Sequence, residues 1–269
     1  MAADIKTLMA FVESQKSKQA SHFPTVKFDK LLTFMGTTSQ PGTYAAVSIL
    51  PLVKLDPGAT PSEMRVHLRG SLPGPVGRNE CVTVHVDRLE QYQGYQIKTK
   101  PLAAPGAEDQ LFRQAGDELA IDGHQIYTVH HSPYTMKFFE QIPYEEVQQL
   151  VAGVKFALVG VGETANISPR FVFHWETKLD RPVFYHGDGL ALKTYMNLKQ
   201  NRQETRIFVD LDTFEGWALR GTVEEFAPHQ HPEAYDRICQ GFASGNWGRP
   251  SRVFRFVADQ WMPLAPFRG

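Results

Sequence analysis

Within residues 155–226, the cations Arg170 and Lys193 and the neutral hydrogen-bond donors Thr194 and Asn197 could together bind an anion. Arg170 offers a planar fork of donors that suits phosphate oxygens, and Lys193 offers a compact positive charge. Thr194 and Asn197 follow Lys193 closely enough to share one short helix, whose first N–H groups would face the anion. The alternative is that Arg170 and Lys193 are ordinary solvated charges.

The histidines form a second set of candidates. His130 and His131 are adjacent, and His229 and His231 are two residues apart, which in loops is poor geometry for a metal site. No cysteine pair or Glu-x-x-His motif accompanies them, so we interpret them as surface residues. His186 follows a Phe-Tyr strand, where it could shuttle protons in a substrate pocket or fill a structural role.

Composition and motifs argue against several classes of protein. With 28 Lys and Arg against 29 Asp and Glu, the chain has no basic excess for a general nucleic-acid interface. Cys81 and Cys239 lie far apart and indicate neither a disulfide scaffold nor a zinc ribbon. The sequence has no GxGxxG, P-loop or GxSxG motif. No apolar run reaches the roughly 20 residues of a membrane span and no signal-peptide pattern is found, so we predict a cytoplasmic protein without membrane partners.

The first half of the chain is predicted to begin with helices and to continue with strands. Apolar spacing predicts a helix over 4–13, the polar run 14–21 predicts a linker, and a second helix is predicted from Pro24 to Gly36. Alternating or β-rich runs bounded by Gly and Pro predict the strands that follow. These strands cover residues 43–53, 64–68, 81–86, 95–99 and 125–130, with a short helix predicted at 108–115.

The second half repeats this order. Pro143 begins a predicted helix with two glutamates in its first turn, where carboxylates complement the helix dipole. Strands are predicted at 155–161, 166–175, 183–186, 205–210, 217–224 and 252–257, with helices at 193–198 and 232–242. The tetrad Tyr92–Tyr95 matches Phe214–Trp217, 122 residues later, because each reads aromatic, polar, glycine, aromatic. We therefore predict an ancient duplication.

Many short strands with few helices predict a mainly β fold with short helices (α+β), arranged as barrels or sandwiches. Strands alternating with long helices, as in a nucleotide-binding parallel sheet, are absent from the pattern. The predicted domains are an N-terminal helix and linker over 1–22, a first, divergent domain over 23–140 and a second domain over 141–269.

The order of the pieces in the second half resembles the FMN-binding split β-barrel family, of the pyridoxamine-5′-phosphate-oxidase-like kind. The pieces are a small-residue turn, the run Asn166–Arg170, a Phe-Tyr strand, the element Lys193–Leu198 and a hairpin that ends in Leu219–Val223. The resemblance covers residues 143–260 well and residues 24–138 weakly. Because the family is normally a homodimer with FMN at the subunit interface, it implies two tandem split β-barrels packed as a pseudo-dimer, with further homo-oligomerisation left open.

The resemblance also implies which residues bind the cofactor. The strand with Arg170 would run beside the flavin ring and place that arginine near the phosphate, which Lys193 and Thr194 would also bind. Ala46–Pro51 occupies the corresponding place in the first half and brings no arginine, so we predict one flavin per chain or none. The implied FMN-binding residues are Ser168, Pro169, Arg170, Phe184, Tyr185, Lys193, Thr194 and Asn197, with no catalytic residue assigned and no metal expected.

The predicted function is therefore an FMN-binding oxidoreductase acting on an unidentified small molecule, with NAD(P)H or a reductase partner as the electron source. The flavin would supply the redox chemistry, and the protein would supply binding, orientation and electrostatic tuning. The alternative is a non-enzymatic carrier or sensor on the same fold that holds flavin or heme. A heme would need an axial ligand, for which His124, His174 and His186 are candidates.

Overall fold

A computed structural model shows two compact units within the chain. It describes residues 5–22, 31–61, 63–77, 82–88, 93–102, 111–130, 144–145, 148, 156–163, 165–176, 180–189, 192–210, 213 and 215–264. We call Met1–Met35 together with Pro169–Arg268 the terminal unit. We call Gly36–Ser168 the central unit, with which Gly269 is grouped.

The described elements are mostly strands, which confirms the prediction of a mainly β fold with short helices. In chain order they are α1 Ile5–His22, β1 Leu31–Thr37, β2 Ala46–Pro57, β3 Met64–Arg69, β4 Val82–Arg88, β5 Gln93–Lys98, β6 Phe112–Ala115, β7 Glu118–Gly123, β8 Gln125–His130, β9 Phe156–Val161, β10 Asn166–Val172, β11 His174–Glu176, β12 Val183–Asp188, α2 Leu192–Gln200, β13 Gln203–Val209, β14 Gly216–Glu225, α3 Pro232–Ser244 and β15 Arg252–Pro263. No helix in the described part of the chain combines the length and the apolar character needed to cross a membrane.

The central unit is built on an eight-stranded sheet in the order β6-β7-β3-β2-β9-β4-β5-β8. Neighbouring strands pair antiparallel throughout. In β7, half-buried and buried residues alternate strictly, as expected for a sheet with one covered face. The core on that face includes Val66, Leu119, Ile121 and Val159, all essentially inaccessible to solvent.

The terminal unit is built on a seven-stranded sheet in the order β10-β1-β13-β14-β15-β12-β11. Helix α1 packs its apolar stripe against one face of this sheet, and we call that face the interior face. Leu8 and Val12 from the helix are fully buried in a core that includes Phe184, Phe208 and Phe256. The apolar stripe predicted within residues 4–13 is therefore the face that the helix buries against the sheet.

The sheet of the terminal unit must curl. Strands β12 and β13 are separated in it by β14 and β15, so in a flat sheet they would lie about 14 Å apart. The rings of Phe184 on β12 and Phe208 on β13 nevertheless meet with centroids 5.0 Å apart. Only curvature brings two short aromatic side chains that close, as in the closing of a barrel.

Strand alternation gives β12 two different faces. Phe184 and His186 lie on the interior face, while Tyr185 and Gly187 lie on the opposite face. Helix α3 covers that opposite face, because a Cβ atom added to Gly187 would lie 2.6 Å from the Phe242 ring of the helix. A glycine is required there for the helix to approach the strand so closely.

The glycines of the two aromatic-glycine tetrads, Gly94 and Gly216, occupy matching places in two hairpins. In the β4–β5 hairpin Gly94 pairs with Asp87, and in the β13–β14 hairpin Gly216 pairs with Val209. Gly216 follows Gly94 by 122 residues in the sequence, and Val209 follows Asp87 by the same number. The ancient duplication and the tandem split barrels packed as a pseudo-dimer both stay predictions.

Three predicted elements near the N-terminus and mid-chain were wrong. Helix α1 continues through the predicted linker 14–21 to His22, because Lys, Gln and Ala in that run are good helix formers. Residues 31–35 form strand β1 and not a helix. The strand lies between β10 and β13, and its residues 33–37 are all buried. A strand of this kind lacks the alternation of apolar and polar residues that identifies a strand in a sequence. Residues 112–115 form strand β6 in place of the predicted helix.

The division into units also differs from the predicted domain boundaries. Strand β9, which the sequence assigns to the second domain, pairs with β2 and β4 in the central unit. Helix α1 belongs to the terminal unit, where it supplies core residues. The partition falls inside β10, between Ser168 and Pro169, and inside β1, between Met35 and Gly36. These pairings link segments that are distant in sequence, so composition alone does not show them.

The glycine of the Leu219–Val223 segment is predicted to be essential for the β14–β15 pairing. An added Cβ at Gly221 would lie 2.8 Å from the Phe256 ring and would collide with the Val257 carbonyl oxygen, at the point where the register shifts. We expect Gly221→Ala to lower the free energy of unfolding by about 1–3 kcal/mol or more through overpacking. Gly189→Ala is the matched control, because its nearest neighbour would be 3.8 Å away. Equal urea midpoints for the two variants would contradict this prediction.

Candidate functional site

The interior face of the terminal unit changes from apolar to polar along its strands. On β13, Phe208 lies in the apolar core, and Arg206 and Glu204 follow at two-residue steps on the same face. On β12, Phe184 lies in the same core and is followed by His186. We call His186, Glu204 and Arg206 the interior cluster.

Arg206 holds the interior cluster together. Its side chain and that of Glu204 are both completely buried, and its Nε and Nη2 donate to Glu204 Oε2 over 3.1 and 3.0 Å. Nη2 also lies 3.1 Å from His186 Nδ1. A guanidinium can only donate, so Nδ1 must accept and the imidazole is neutral with its proton on Nε2.

Two phenylalanines of β15 support the cluster from the side. The Arg206 guanidinium lies over the Phe256 ring at 4.1 Å from its centroid. The His186 ring stacks on Phe254 with centroids 5.1 Å apart and planes 23° apart. Such walls hold both polar groups in fixed orientations and exclude water, which strengthens the electrostatic interactions within the cluster.

Burial and the two arginines shift the ionisation of the cluster. Burial lowers the pKa of His186 well below its ordinary value, and the charges of Arg206 and Arg170 lower it further. Burial raises the pKa of Glu204, although the Arg206 charge opposes that rise. Burial also lowers the pKa of Arg206, against the effect of Glu204. The positive charge of Arg170 also contributes, as the smallest cause, to the pKa of each of the three groups.

The cluster leaves one acceptor and one donor unsatisfied. Glu204 Oε1 and Arg206 Nη1 are buried and have no hydrogen-bond partner, although both side chains are fully inaccessible. An unsatisfied buried polar atom lowers the free energy of unfolding by about 1–3 kcal/mol. Two such atoms, two residues apart on one face of β13, therefore need an explanation.

Helix α2 carries the predicted phosphate ligands. Lys193 is half-buried and Thr194 is buried in its first turn, and Asn197 is buried one turn later. The first turn has no acidic residue. Helix α3, by contrast, has Pro at its start and Glu233 in its first turn, the usual arrangement at a positive helix end.

The remaining predicted ligands lie in different surroundings. Ser168 and Pro169 are buried on β10, and Arg170 is half-buried on the same strand. Ser168 belongs to the central unit, and its Oγ has no hydrogen-bond partner. The Phe184 side chain is fully buried between Phe208 and Phe256, so it serves as core. The part these residues play in cofactor binding stays a prediction.

Tyr185 is fixed on the face of β12 that α3 covers. Its hydroxyl donates a short hydrogen bond to Glu176 Oε1 and lies 3.4 Å from His231 Nδ1. Because the hydroxyl hydrogen points to Glu176, the oxygen accepts from the histidine. Burial, followed by the Glu176 contact, raises the pKa of Tyr185 to about 12, so this phenol stays protonated at neutral pH.

Sequence reasoning missed Glu204 and Arg206. The signal that could have found them is a pair of opposite charges two residues apart at the start of a strand that continues Ile207, Phe208, Val209. Two charged side chains on the buried face of such a strand must pair with each other or with a ligand. His186, by contrast, was identified, and of its two predicted roles the structure shows the buried, hydrogen-bonded surroundings of a structural one.

The histidines considered as heme ligands have other contacts. His186 is 1% exposed and beside two arginines, surroundings that disfavour an added iron cation. His124 Nδ1 lies 3.5 Å from Glu63, and burial lowers the pKa of His174. Within the described residues, no group of three or more His, Cys, Asp or Glu side chains is arranged to hold a metal ion.

Comparison with known proteins gives faint structural likenesses. No protein-family model matches the chain, and no curated protein matches it. Two crystal structures of HupZ from Group A Streptococcus, one of a point variant, match at 21% identity and TM-scores of 0.31 and 0.30. They cover 38% of this chain and 76% and 80% of theirs. An FMN-binding protein from Syntrophomonas wolfei subsp. wolfei matches at 21% identity and TM-score 0.30, over 38% of this chain and 71% of its own.

The neutral state of His186 predicts a pH-dependent stability. The folded pKa of His186 lies below that of the unfolded chain, about 6.5, so the unfolded state binds the extra proton in the window between them. This contribution to the free energy of unfolding is complete above about pH 6.5 and is lost as the pH falls below it, by up to about 1.4 kcal/mol per pH unit. Urea unfolding between about pH 5 and 7 measures it.

We expect His186→Gln to flatten this part of the stability profile, because an amide does not titrate in this range. His229→Gln is the control, since His229 is exposed and should leave the slope unchanged. A variant at position 186 whose slope equals that of the wild type would show that the folded histidine is not held neutral.

Proposed function

We propose that the chain is an FMN-binding protein of the pyridoxamine-5′-phosphate-oxidase-like split-barrel kind that acts as an oxidoreductase on a small molecule. The observation that carries the proposal is the order β10, β12, α2, then the β13–β14 hairpin, with Lys193 and Thr194 in the first turn of α2. This is the order that the sequence resemblance predicts, and the curled sheet of the terminal unit is compatible with half of such a barrel.

The start of α2 fits a phosphate. A helix N-terminus carries a partial positive charge, and Lys193 adds a full one where a carboxylate would normally compensate. Backbone N–H groups and the Thr194 hydroxyl lie in the same turn and are suitable donors to phosphate oxygens. No acidic side chain of this turn would oppose an anionic ligand placed there.

The residues of this chain would then divide the binding of the cofactor. Lys193, Thr194 and Asn197 would hold the phosphate, and Arg170 on β10 would add a second cation. Tyr185, with its hydroxyl held by Glu176, would keep the β12 backbone in register beside the ring system. The bound flavin would supply two-electron redox chemistry, with NAD(P)H or a reductase partner as the source of electrons.

The test is an absorption titration of the purified chain with FMN. We expect flavin bands that shift on binding, and an affinity at least about tenfold lower in Lys193→Ala/Arg170→Ala, because charge-assisted phosphate contacts are lost. Lys199→Ala is the matched control, since Lys199 lies in the last turn of α2 and is exposed. No binding by the wild type, or equal affinity in the double variant, would contradict the proposal.

The redox part of the proposal has its own measurement. Bound flavin that NAD(P)H reduces and oxygen reoxidises supports an oxidoreductase. Bound flavin that stays oxidised indicates a carrier, or an enzyme that needs a separate reductase. A Soret band in the purified protein would favour the heme-binding alternative.

A further inference from the structure

The start of α2 is anchored by Ser251 and Arg252, where β15 begins. The Ser251 hydroxyl donates to the carbonyl oxygens of Asp188 and Gly189, over 2.8 Å in each case. The Arg252 guanidinium lies over the Tyr195 ring at 3.8 Å from its centroid. Asp188 ends β12, and Tyr195 lies in the first turn of α2. The chain is therefore held both before and after the point where α2 begins.

Arg252 also balances the charge of a buried acid. Its Nη1 lies 3.6 Å from Asp188 Oδ2, and the Asp188 side chain is only 5% exposed. A buried carboxylate is costly unless a cation lies close to it. Because one guanidinium contacts both Asp188 and Tyr195, this carboxylate lies within about 10 Å of the Tyr195 ring, a distance at which salt does not fully screen it. Without a cation beside it, its charge would repel an anion bound at the first turn of α2.

The two contacts use different parts of the Arg252 side chain. Its flat face lies on the aromatic ring, while Nη1 at its edge faces the carboxylate. A planar guanidinium can make both contacts at once, which the compact ammonium group of a lysine cannot do in the same way. Tyr195 directly follows Lys193 and Thr194 in the same helical turn. A contact that fixes the Tyr195 ring therefore also fixes the direction of these two side chains.

We propose that Arg252 is a positioning residue for the phosphate site at the start of α2. It holds the first turn of the helix through Tyr195, and it neutralises Asp188. Lys193 and Thr194 then present their donors without an opposing negative charge. This inference rests on the proposed function, because the anion in question is the phosphate of FMN. Arg252 acts through its two neighbours and makes no contact with the phosphate itself.

Titrations of the full chain with FMN and with riboflavin, which lacks the phosphate, test the charge balance. We expect Arg252→Met to weaken FMN binding about tenfold relative to riboflavin binding, because the Asp188 carboxylate is left unpaired near the phosphate. Arg252→Lys keeps the charge and should preserve the ratio of the two affinities. Arg181→Met is the matched control, since Arg181 Nη1 lies 3.7 Å from Asp259 Oδ1 beside the other end of β12. An equal loss of both ligands in Arg252→Met would overturn the positioning role.

The double variant Arg252→Met/Asp188→Asn separates positioning from direct binding. Asparagine in place of Asp188 removes the repulsion of the phosphate. We therefore expect the ratio of the FMN and riboflavin affinities to return to within about threefold of the wild-type ratio. A double variant whose ratio stays as low as that of Arg252→Met would show that Arg252 binds the phosphate directly, and the positioning role would then be wrong.

Amide hydrogen exchange without ligand tests the hold on α2 independently of the proposed function. We expect the amides of residues 196–201 to exchange about threefold faster in Arg252→Met, because the contact with the ring is lost, while the amides of α3 keep their rates. Tyr195→Leu should have the same effect, and Tyr195→Phe, which keeps the ring, should not. The combined variant Arg252→Met/Tyr195→Leu should exchange no faster than either single variant, because both changes remove one contact.

The two experiments fail in distinguishable ways. Unchanged exchange of residues 196–201 in Arg252→Met would overturn the hold on the helix, whatever the ligands do. If the wild type binds neither FMN nor riboflavin, the proposed function fails, and faster exchange in Arg252→Met would still show that the arginine holds α2.

Discussion

The buried ion pair of Arg206 and Glu204 is the interaction on which the interior of the terminal unit depends. It places two charges on a strand face that otherwise holds Phe208 and contacts the apolar stripe of α1. Two further contacts of Arg206, with His186 and with the ring of Phe256, come from strands that the curled sheet brings opposite β13. A flatter sheet would leave Arg206 without these partners, so the polar network depends on the curvature of the sheet.

Such a pair is a poor means of stabilising a fold. The cost of removing both charges from water is seldom exceeded by their attraction, and apolar residues of similar size usually serve as well. Here the cost is higher, because Glu204 Oε1 and Arg206 Nη1 remain unsatisfied. The neighbouring apolar half of the same face, around Phe184 and Phe208, provides the core of this unit.

The sequence predicted the elements of this unit better than their assembly. Strands with turn signals on both sides, such as β12 and β14, and the helix with Lys193 were located to within a few residues. The segment 31–37 was wrong because a strand buried on both sides has no alternation to distinguish it from a buried helix. Strand β9 and helix α1 belong to their units through contacts with segments that are distant in the sequence. A local sequence pattern does not show such contacts.

The candidate site was predictable only where a motif marks it. Lys193 and Arg170 were predicted as ligands because their neighbours form recognisable runs. Glu204 and Arg206 lie in an ordinary strand, and only their burial in the structure distinguishes them. The two groups of residues are nevertheless linked, because the charge of Arg170 on β10 contributes to the pKa shifts of His186, Glu204 and Arg206.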